Sequence, residues 1–77
     1  MTGKKEMLAQ WVASYTRDLY AWAMAKTSDV ALAEDLVQDT FLAAAESWGQ
    51  FREQSRPRTW LFGILKNKIA DHYRKQA

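Results

Sequence analysis

The segment that decides the fold is residues 30–48, VALAEDLVQDTFLAAAESW. At 100° per residue its small and apolar side chains fall on one arc, which comprises Ala33, Leu36, Val37, Thr40, Ala43 and Ala44. The opposite arc carries Asp35, Gln38, Asp39, Leu42 and Glu46. This pattern predicts an amphipathic helix, which Ser28 or Asp29 can cap at its start and Gly49 can end.

Two more helices are predicted, one on each side of this segment. Apolar residues recur every three or four positions at Leu8, Trp11, Val12, Tyr15, Leu19 and Trp22, which predicts a first helix over about 5–26. A similar stripe predicts a third helix over about 56–74, and its members are Leu61, Phe62, Leu65, Ile69 and Tyr73. Gly63 is unusual there, since glycine costs roughly 1 kcal/mol in a helix interior. With a loop over 49–56, GQFREQSR, we predict an all-α fold, a compact three-helix bundle with an extended loop before the last helix.

The composition excludes several classes of protein. The 77 residues are enough for one small domain, and an aromatic fraction of 13% is too high for a disordered chain. The absence of cysteine excludes disulfides and thiolate metal sites, and a single histidine, His72, excludes a multi-histidine metal site. No apolar run approaches the ~20 residues of a membrane span, and no apolar signal region follows the N-terminus, so we expect no membrane insertion and a cytoplasmic location.

The net charge of +2 conceals two segments of opposite charge. Residues 27–51 hold five acidic residues and no Lys or Arg, whereas residues 52–77 hold seven basic residues and two acidic ones. Charges separated in this way favour two surfaces with two kinds of partner. Chance clustering of charges on solvated faces is the alternative.

Leu42 is an apolar residue among the polar side chains of the second helix. On the outer arc its neighbours are Asp35, Gln38, Asp39 and Glu46. An apolar residue rimmed by acids and an amide is typical of a protein-binding face. The alternative is a solvated acidic face with one exposed leucine, which alone means little.

The outer arc of the third helix combines aromatic, amide and basic side chains. It carries Trp60, Ile64, Asn67 and Arg74, and the residues Arg52, Arg56 and Arg58 precede it. Cations neutralise phosphates, and an aromatic ring can stack on an unpaired base at ~1–3 kcal/mol per base. The pattern favours binding of single-stranded nucleic acid. The alternative is a basic solvated face with Trp60 packed back on the loop.

Signals of catalysis are weak in this chain. It has no Gly-rich phosphate loop, and His72 follows Asp71 directly, so these two side chains do not face each other on a helix. Asp35 and Asp39 share a helix face, but no ring of further ligands accompanies them. We therefore predict no catalytic residue, no metal site and no cofactor.

Three segments together resemble one known family. Residues 33–42, AEDLVQDTFL, resemble the second conserved region of bacterial sigma factors of the extracytoplasmic-function (ECF) group. Residues 51–52, FR, and 55–67, SRPRTWLFGILKN, are similar to the promoter-melting segment of these factors. Residues 69–75, IADHYRK, resemble the end of that domain. The resemblance covers about residues 8–75 and implies the sigma factor region 2 fold.

The resemblance implies a transcription initiation domain with two partners. In such factors the acidic second helix docks on the clamp helices of the largest subunit of core RNA polymerase. Here that contact falls on Asp35, Gln38, Asp39 and Leu42. The loop before the third helix captures a base flipped from the non-template strand of the −10 promoter element, and the third helix lies along the melted DNA.

The DNA-binding roles that the resemblance implies fall on the loop and the third helix. Trp60 would stack at the fork between duplex and open strand, Asn67 would reach a base edge, and the basic residues would hold phosphates. The full set is Phe51, Arg52, Ser55, Arg56, Arg58, Trp60, Lys66, Asn67, Arg74 and Lys75. A stacked or pocketed base offsets the few kcal/mol of unstacking, so melting can proceed without ATP.

Such factors also carry a C-terminal helical domain that reads the −35 element. This chain stops at Ala77, immediately after the first domain, so we expect the promoter-reading C-terminal domain to be absent from it, and the chain is either a fragment of a two-domain factor or a stand-alone version. An anti-sigma factor is a further expected partner. The alternative function is therefore a helical protein-interaction module that an anti-sigma factor holds, without independent DNA binding.

Overall fold

Three helices make up the described part of the chain. A computed structural model, which describes residues 3–51 and 56–76, has α1 over Lys4–Thr27, α2 over Val30–Glu46 and α3 over Pro57–Gln76. A short 3-10 turn, Trp48–Gln50, follows α2. No strand occurs in the described residues, so the predicted all-α class is confirmed.

The turn between α1 and α2 consists of two residues, of which the first ends α1 and the second caps α2. Ser28 has a left-handed backbone with φ 53°, and its N–H donates to the carbonyl of Met24 at 2.8 Å, which closes α1. The carboxylate of Asp29 accepts a hydrogen bond from the N–H of Leu32 at 3.0 Å and so caps α2. Of the two caps that the sequence leaves open, the structure selects Asp29.

Replacing Ser28 with glycine is expected to stabilise the fold. A residue with a Cβ is strained in the left-handed conformation and glycine is not, so the free energy of unfolding should rise by about 0.5–1 kcal/mol. Thermal unfolding followed by circular dichroism measures this. Ser47, the C-cap of α2, has φ −102°, so Ser47→Gly is the matched control and should bring no gain. An unchanged or lower midpoint for Ser28→Gly would contradict the expectation.

The inner faces of the three helices form one core. Its buried apolar members are Trp11, Leu19, Ala23, Ala33, Leu36, Val37, Ala44, Leu61, Leu65 and Ile69. Thr40 is also buried, and its hydroxyl donates to the carbonyl of Leu36 at 2.8 Å, which satisfies the polar atom locally. The inner arc predicted for α2 is therefore confirmed, although Ala43 is only half-buried.

The stripes predicted for α1 and α3 were wrong at three positions. Val12 and Tyr73 are each 44% exposed, whereas Ala23, which the stripe omits, is fully buried. Ala23 and Ala33 lie near the short turn between α1 and α2, where small side chains let the helices approach closely. The hydroxyl of Tyr73 donates to the carbonyl of Lys26 at 3.2 Å and joins the end of α3 to the end of α1.

The second helix ends two residues earlier than its pattern predicts. The prediction extends to Trp48, whereas α2 ends at Glu46 and the chain then turns through the 3-10 segment. This turn places the Trp48 ring 4.9 Å from the ring of Trp11, measured between centroids. The contact between two large aromatic rings favours the turn over a longer helix.

Candidate functional site

The outer face of α2 displays all four residues that the sequence assigns to a protein partner. Asp35, Gln38, Asp39 and Leu42 are exposed, because the opposite arc of the helix packs into the core. Leu42 is 61% exposed although it is large and apolar. Since the four side chains share one face of one helix, a single partner can reach them together.

An apolar hollow adjoins this face on the side of α1, and we call it the α1–α2 hollow. It has a volume of about 550 Å³ and is lined by Leu8, Val12, Thr16, Val37, Gln38, Phe41, Leu42 and Ala45. The exposure of Val12 is explained by its position in this hollow. The sequence interpretation missed the hollow, because spacing shows that an apolar residue lies on a stripe but not whether another element covers it.

A second hollow brings the acidic face of α2 against the basic end of α3. Leu32, Asp35, Leu36 and Asp39 line it from the α2 side, and Lys68, Asp71, His72 and Lys75 line it from the α3 side. Among the described residues, no ion pair within 4.0 Å joins the two helices here. The acidic and basic segments, which are separate in the sequence, are therefore neighbours in space.

Exposed basic side chains lie just before α3 and at several positions along it. Those in the predicted DNA-binding set are Arg56, Arg58, Lys66, Arg74 and Lys75, and at 1.5 Å per residue they extend over about 28 Å. Arg58 Nε lies 3.5 Å from Asp18 Oδ2, and Arg74 Nη2 lies 2.8 Å from Asp71 Oδ1. Both pairs are solvent-exposed, where an ion pair is worth about 0–1 kcal/mol, so a phosphate can compete for either arginine.

Trp60 lies in an aromatic cluster and not on the open outer arc that the sequence predicts. Its ring centroid is 5.3 Å from that of Phe51 and 6.1 Å from that of Trp11. Trp11, which is 6% exposed, also contacts Trp48 at 4.9 Å and Phe51 at 5.1 Å. The alternative interpretation, in which Trp60 packs back on the loop, describes this arrangement better. Contact among the rings removes their apolar surface from water, which lowers the free energy of the folded state. Phe51 and Trp60 remain half-buried, so part of each ring is accessible.

A third hollow lies on α3 beside the aromatic cluster, and we call it the Trp60–Asn67 hollow. Its volume is about 600 Å³, and its lining residues are Gln50, Thr59, Trp60, Gly63, Ile64, Lys66 and Asn67. These residues offer an aromatic ring, two amides and a cation. Such groups stack on a base, read its edge and neutralise a phosphate. The structure therefore brings together three predicted DNA-binding residues, Trp60, Lys66 and Asn67.

A patch of rings and cations on the α1 side of α3 is absent from the sequence prediction, and we call it the Trp22–Phe62 patch. The Nζ atoms of Lys26 and Lys66 lie 5.1 and 5.5 Å from the centroid of the Trp22 ring. Arg58 Cζ lies 4.5 Å from the centroid of Phe62, and the two rings meet edge to face at 6.2 Å. The four-residue spacing of Trp22 and Lys26 is the sequence signal that could have indicated this contact.

Two residues of the predicted DNA-binding set, Arg52 and Ser55, lie outside the residues that the structure describes. Within residues 3–51 and 56–76, no group of three His, Asp or Glu side chains is placed to hold a metal ion. None of the helices in this part of the chain is long and apolar enough to span a membrane.

Comparison with protein families matches one family to most of this chain. The family model described as Sigma-70 region 2 matches residues 11–77, which include α2, the aromatic cluster and α3. The chain belongs to the sigma-70 region 2 family. The resemblance that the segments 33–42 and 55–67 carry is thereby confirmed.

Curated relatives of this sigma-70 region 2 chain include ECF sigma factors. It is 43% identical over 58 residues to a "Probable RNA polymerase sigma factor" of Haemophilus influenzae. This match covers 75% of this chain and 30% of that protein. It is 36% identical over 72 residues to the ECF RNA polymerase sigma factor SigC of Mycobacterium tuberculosis, and the match covers 94% of this chain and 38% of that protein. It is 36% identical over 61 residues to the ECF RNA polymerase sigma factor SigM of Bacillus subtilis, and the match covers 79% of this chain and 37% of that protein. The chain thus spans about a third of the length of these relatives, and no solved structure matches it significantly.

Proposed function

We propose that this sigma-70 region 2 domain is a transcription initiation module that binds core RNA polymerase and the −10 promoter element. The observation that carries the proposal is the family match over residues 11–77. The outer face of α2 is the proposed polymerase-binding surface. The Trp60–Asn67 hollow and the basic side of α3 are the proposed surface for the non-template strand.

The proposed polymerase-binding surface combines charged and apolar contacts. Asp35 and Asp39 supply the charges, and the α1–α2 hollow extends the apolar area of Leu42 to Val12 and Phe41. Protein interfaces typically place an apolar centre within a polar rim. The carboxylates would steer the domain and set its orientation, whereas burial of the hollow would supply most of the affinity. The proposed partner surface is the clamp helices of the largest polymerase subunit.

An anti-sigma factor is a second proposed partner for the same region. The α1–α2 hollow is almost entirely apolar and open, which suits an amphipathic helix of a regulator. A regulator bound there would cover Leu42 and block the proposed polymerase contact. A regulator bound in this way would block the polymerase contact without covering the proposed DNA-binding residues on α3.

On α3, bases and phosphates would be held by different side chains. The Trp60 ring and the Asn67 amide are placed to contact a base, and the exposed cations are placed to neutralise phosphates. Because an unpaired base is captured only when the duplex is open, this binding favours the melted state and offsets the few kcal/mol of unstacking.

The packing of Trp60 changes the role that we propose for it. Its ring packs against the rings of Phe51 and Trp11, so only part of its surface can meet DNA. A ring held in this way has little freedom to lose when it contacts a base, which favours binding. We therefore propose that the accessible part of the Trp60 ring supports a base at the fork and does not insert between two bases.

Binding of single-stranded DNA tests the proposed function. A labelled −10-like oligonucleotide and a scrambled strand of the same composition would be compared by fluorescence anisotropy at two salt concentrations. We expect tighter binding of the −10-like strand, and weaker binding of both strands at higher salt, because phosphate contacts release counterions. Equal affinity for both strands at both salt concentrations would contradict base capture. If the domain bound core polymerase but neither DNA strand, the result would support the alternative function, a protein-interaction module.

Replacing Lys66 with alanine is expected to weaken strand binding and its dependence on salt. Lys66 lines the Trp60–Asn67 hollow, and loss of one phosphate contact should reduce the slope of log affinity against log salt by about 0.7 for a single strand. Lys5→Ala is the matched control, since it removes the same charge from an exposed position at the start of α1. An equal change of slope in both variants would indicate an effect of net charge and contradict a local contact.

A further inference from the structure

The four rings of the aromatic cluster all contact one another. Its members are Trp11, Trp48, Phe51 and Trp60, and their centroid distances range from 4.9 to 6.4 Å. Trp11 belongs to α1 and is buried, whereas the other three rings are half-buried. Trp48 and Phe51 come from the 3-10 turn and its end, and Trp60 comes from the first turn of α3. The cluster therefore joins the turn after α2 to both of the other helices.

Trp48 fixes the 3-10 turn with its backbone and with its ring. Its carbonyl accepts a hydrogen bond from the N–H of Phe51 at 3.1 Å. Its ring lies 4.9 Å from the ring of Trp11 and meets the ring of Trp60 nearly edge to face at 6.4 Å. Aromatic pairs at centroid distances of about 4.5–7 Å prefer a few defined orientations, so these contacts set the position of the turn relative to α1 and α3.

The turn that Trp48 fixes supplies one wall of the Trp60–Asn67 hollow. Gln50 is the last residue of the turn and lines this hollow together with Trp60 and Asn67 of α3. Its side chain is exposed, and an amide can both donate and accept hydrogen bonds. Because the two walls belong to different elements, the width of the hollow depends on how the turn packs against α3. Trp48 makes that packing contact but is not among the residues that line the hollow.

We propose that Trp48 is a positioning residue for base recognition in the Trp60–Asn67 hollow. Its ring keeps Gln50 and Trp60 at the spacing that admits a base. The inference rests on the proposed function and adds two residues outside the predicted DNA-binding set, Trp48 as the positioning residue and Gln50 as a contact. A hollow whose walls are already in place loses less side-chain and loop freedom when it binds. Trp48 therefore contributes to affinity without touching the strand.

Trp48→Ala tests this role through the affinities for two strands. The whole 77-residue chain is titrated into the labelled −10-like oligonucleotide and into its scrambled counterpart, and anisotropy gives each affinity. We expect the −10-like strand to bind about tenfold more weakly, because the walls must be ordered on binding, and the scrambled strand to bind nearly as before. The salt slope should not change, because the exposed cations of α3 remain. Partial unfolding alone would weaken both strands equally.

Phe41→Ala is the matched control, and Trp48→Phe is the conservative variant. Phe41 is a half-buried ring that lines the α1–α2 hollow and not the Trp60–Asn67 hollow, so its loss should lower stability and leave the preference between strands unchanged. Trp48→Phe keeps a ring in the cluster and should restore most of that preference. Circular dichroism verifies the helical content. If Trp48→Ala lost its helical signal, Trp48→Leu would replace it, since leucine fills part of the site without a ring, and the same loss of preference is expected.

Gln50→Ala tests the contact that the turn presents to the strand. Because Gln50 is exposed, the variant should be as stable as the wild type and should bind the −10-like strand about fivefold more weakly, as for the loss of one contact to a base edge. Gln10→Ala is its control, since Gln10 is an exposed amide on α1 that does not line this hollow. Equal affinities of the two variants for the −10-like strand would overturn the turn as a wall of the site.

The outcomes separate the positioning role from the proposed function. An unchanged preference between strands in the folded Trp48 variant, or an equal loss in Phe41→Ala, would overturn the positioning role and leave the proposed function intact. A lower salt slope in the Trp48 variant would indicate lost phosphate contacts and overturn the role as well. If the wild-type chain bound both strands equally, base capture itself would fail, and the positioning role would fail with it.

Discussion

Trp11→Ala is expected to lower the free energy of unfolding by about 3–5 kcal/mol. The Trp11 ring is 6% exposed and contacts the rings of Trp48, Phe51 and Trp60 at centroid distances from 4.9 to 6.1 Å. Its removal leaves a cavity between segments that come from three parts of the chain. Because small domains are stable by only about 5–15 kcal/mol, the variant should be marginally folded.

Urea unfolding followed by circular dichroism measures this loss. Trp22→Ala is the control, since it removes a ring of the same size from a half-buried position on the same helix, and it should have a smaller effect. Trp11→Phe keeps a ring in the cluster and should restore part of the stability. Unfolding of Trp11→Ala at the same urea concentration as the wild type would contradict a large contribution of the Trp11 ring to stability.

Asp39→Arg is expected to lower the affinity for core RNA polymerase about a hundredfold, since misplaced like charges at an interface cost several kcal/mol. Asp39 is exposed on the outer face of α2, in the same set as Asp35 and Leu42. The substitution removes one carboxylate and places a cation against the surface that the carboxylates are proposed to meet. Arginine is a good helix former, so the fold should persist.

A pull-down with purified core polymerase measures this effect. Glu6→Arg is the matched control, because Glu6 is an exposed acid in the first turn of α1, away from the outer face of α2, and the change in net charge is the same. Equal losses in both variants would indicate a general charge effect. Retained binding by Asp39→Arg would move the polymerase contact elsewhere on the domain.

The outer face of α2 could be predicted from the sequence almost completely. Its positions follow from one local rule, the 3.6-residue period of a helix, together with a cap that lies beside it in the chain. Asp35, Asp39 and Leu42 therefore appear where the pattern predicts them. The end of the helix could not be predicted as well, because the Trp48 ring turns toward a residue of another helix.

The basic side of α3 could be predicted only in part. Lys66 and Asn67 are exposed as expected, because nothing apolar draws them inward. Trp60 is different, since the exposure of a large ring depends on which other segments lie nearby, and here Phe51 and Trp11 cover part of it. The Trp22–Phe62 patch was missed for the same reason, because apolar spacing does not distinguish a core position from one that supports a cation.

The sequence by itself determined three amphipathic helices, their order, and an acidic face followed by a basic one. These features depend on residues within a few positions of one another, and local periodicity, caps and charges are enough to specify them. Only the tertiary structure decided which rings are partly covered and that Asp39 and Lys75 line the same hollow. Those features depend on contacts between residues far apart in the chain, which form only when the helices pack together.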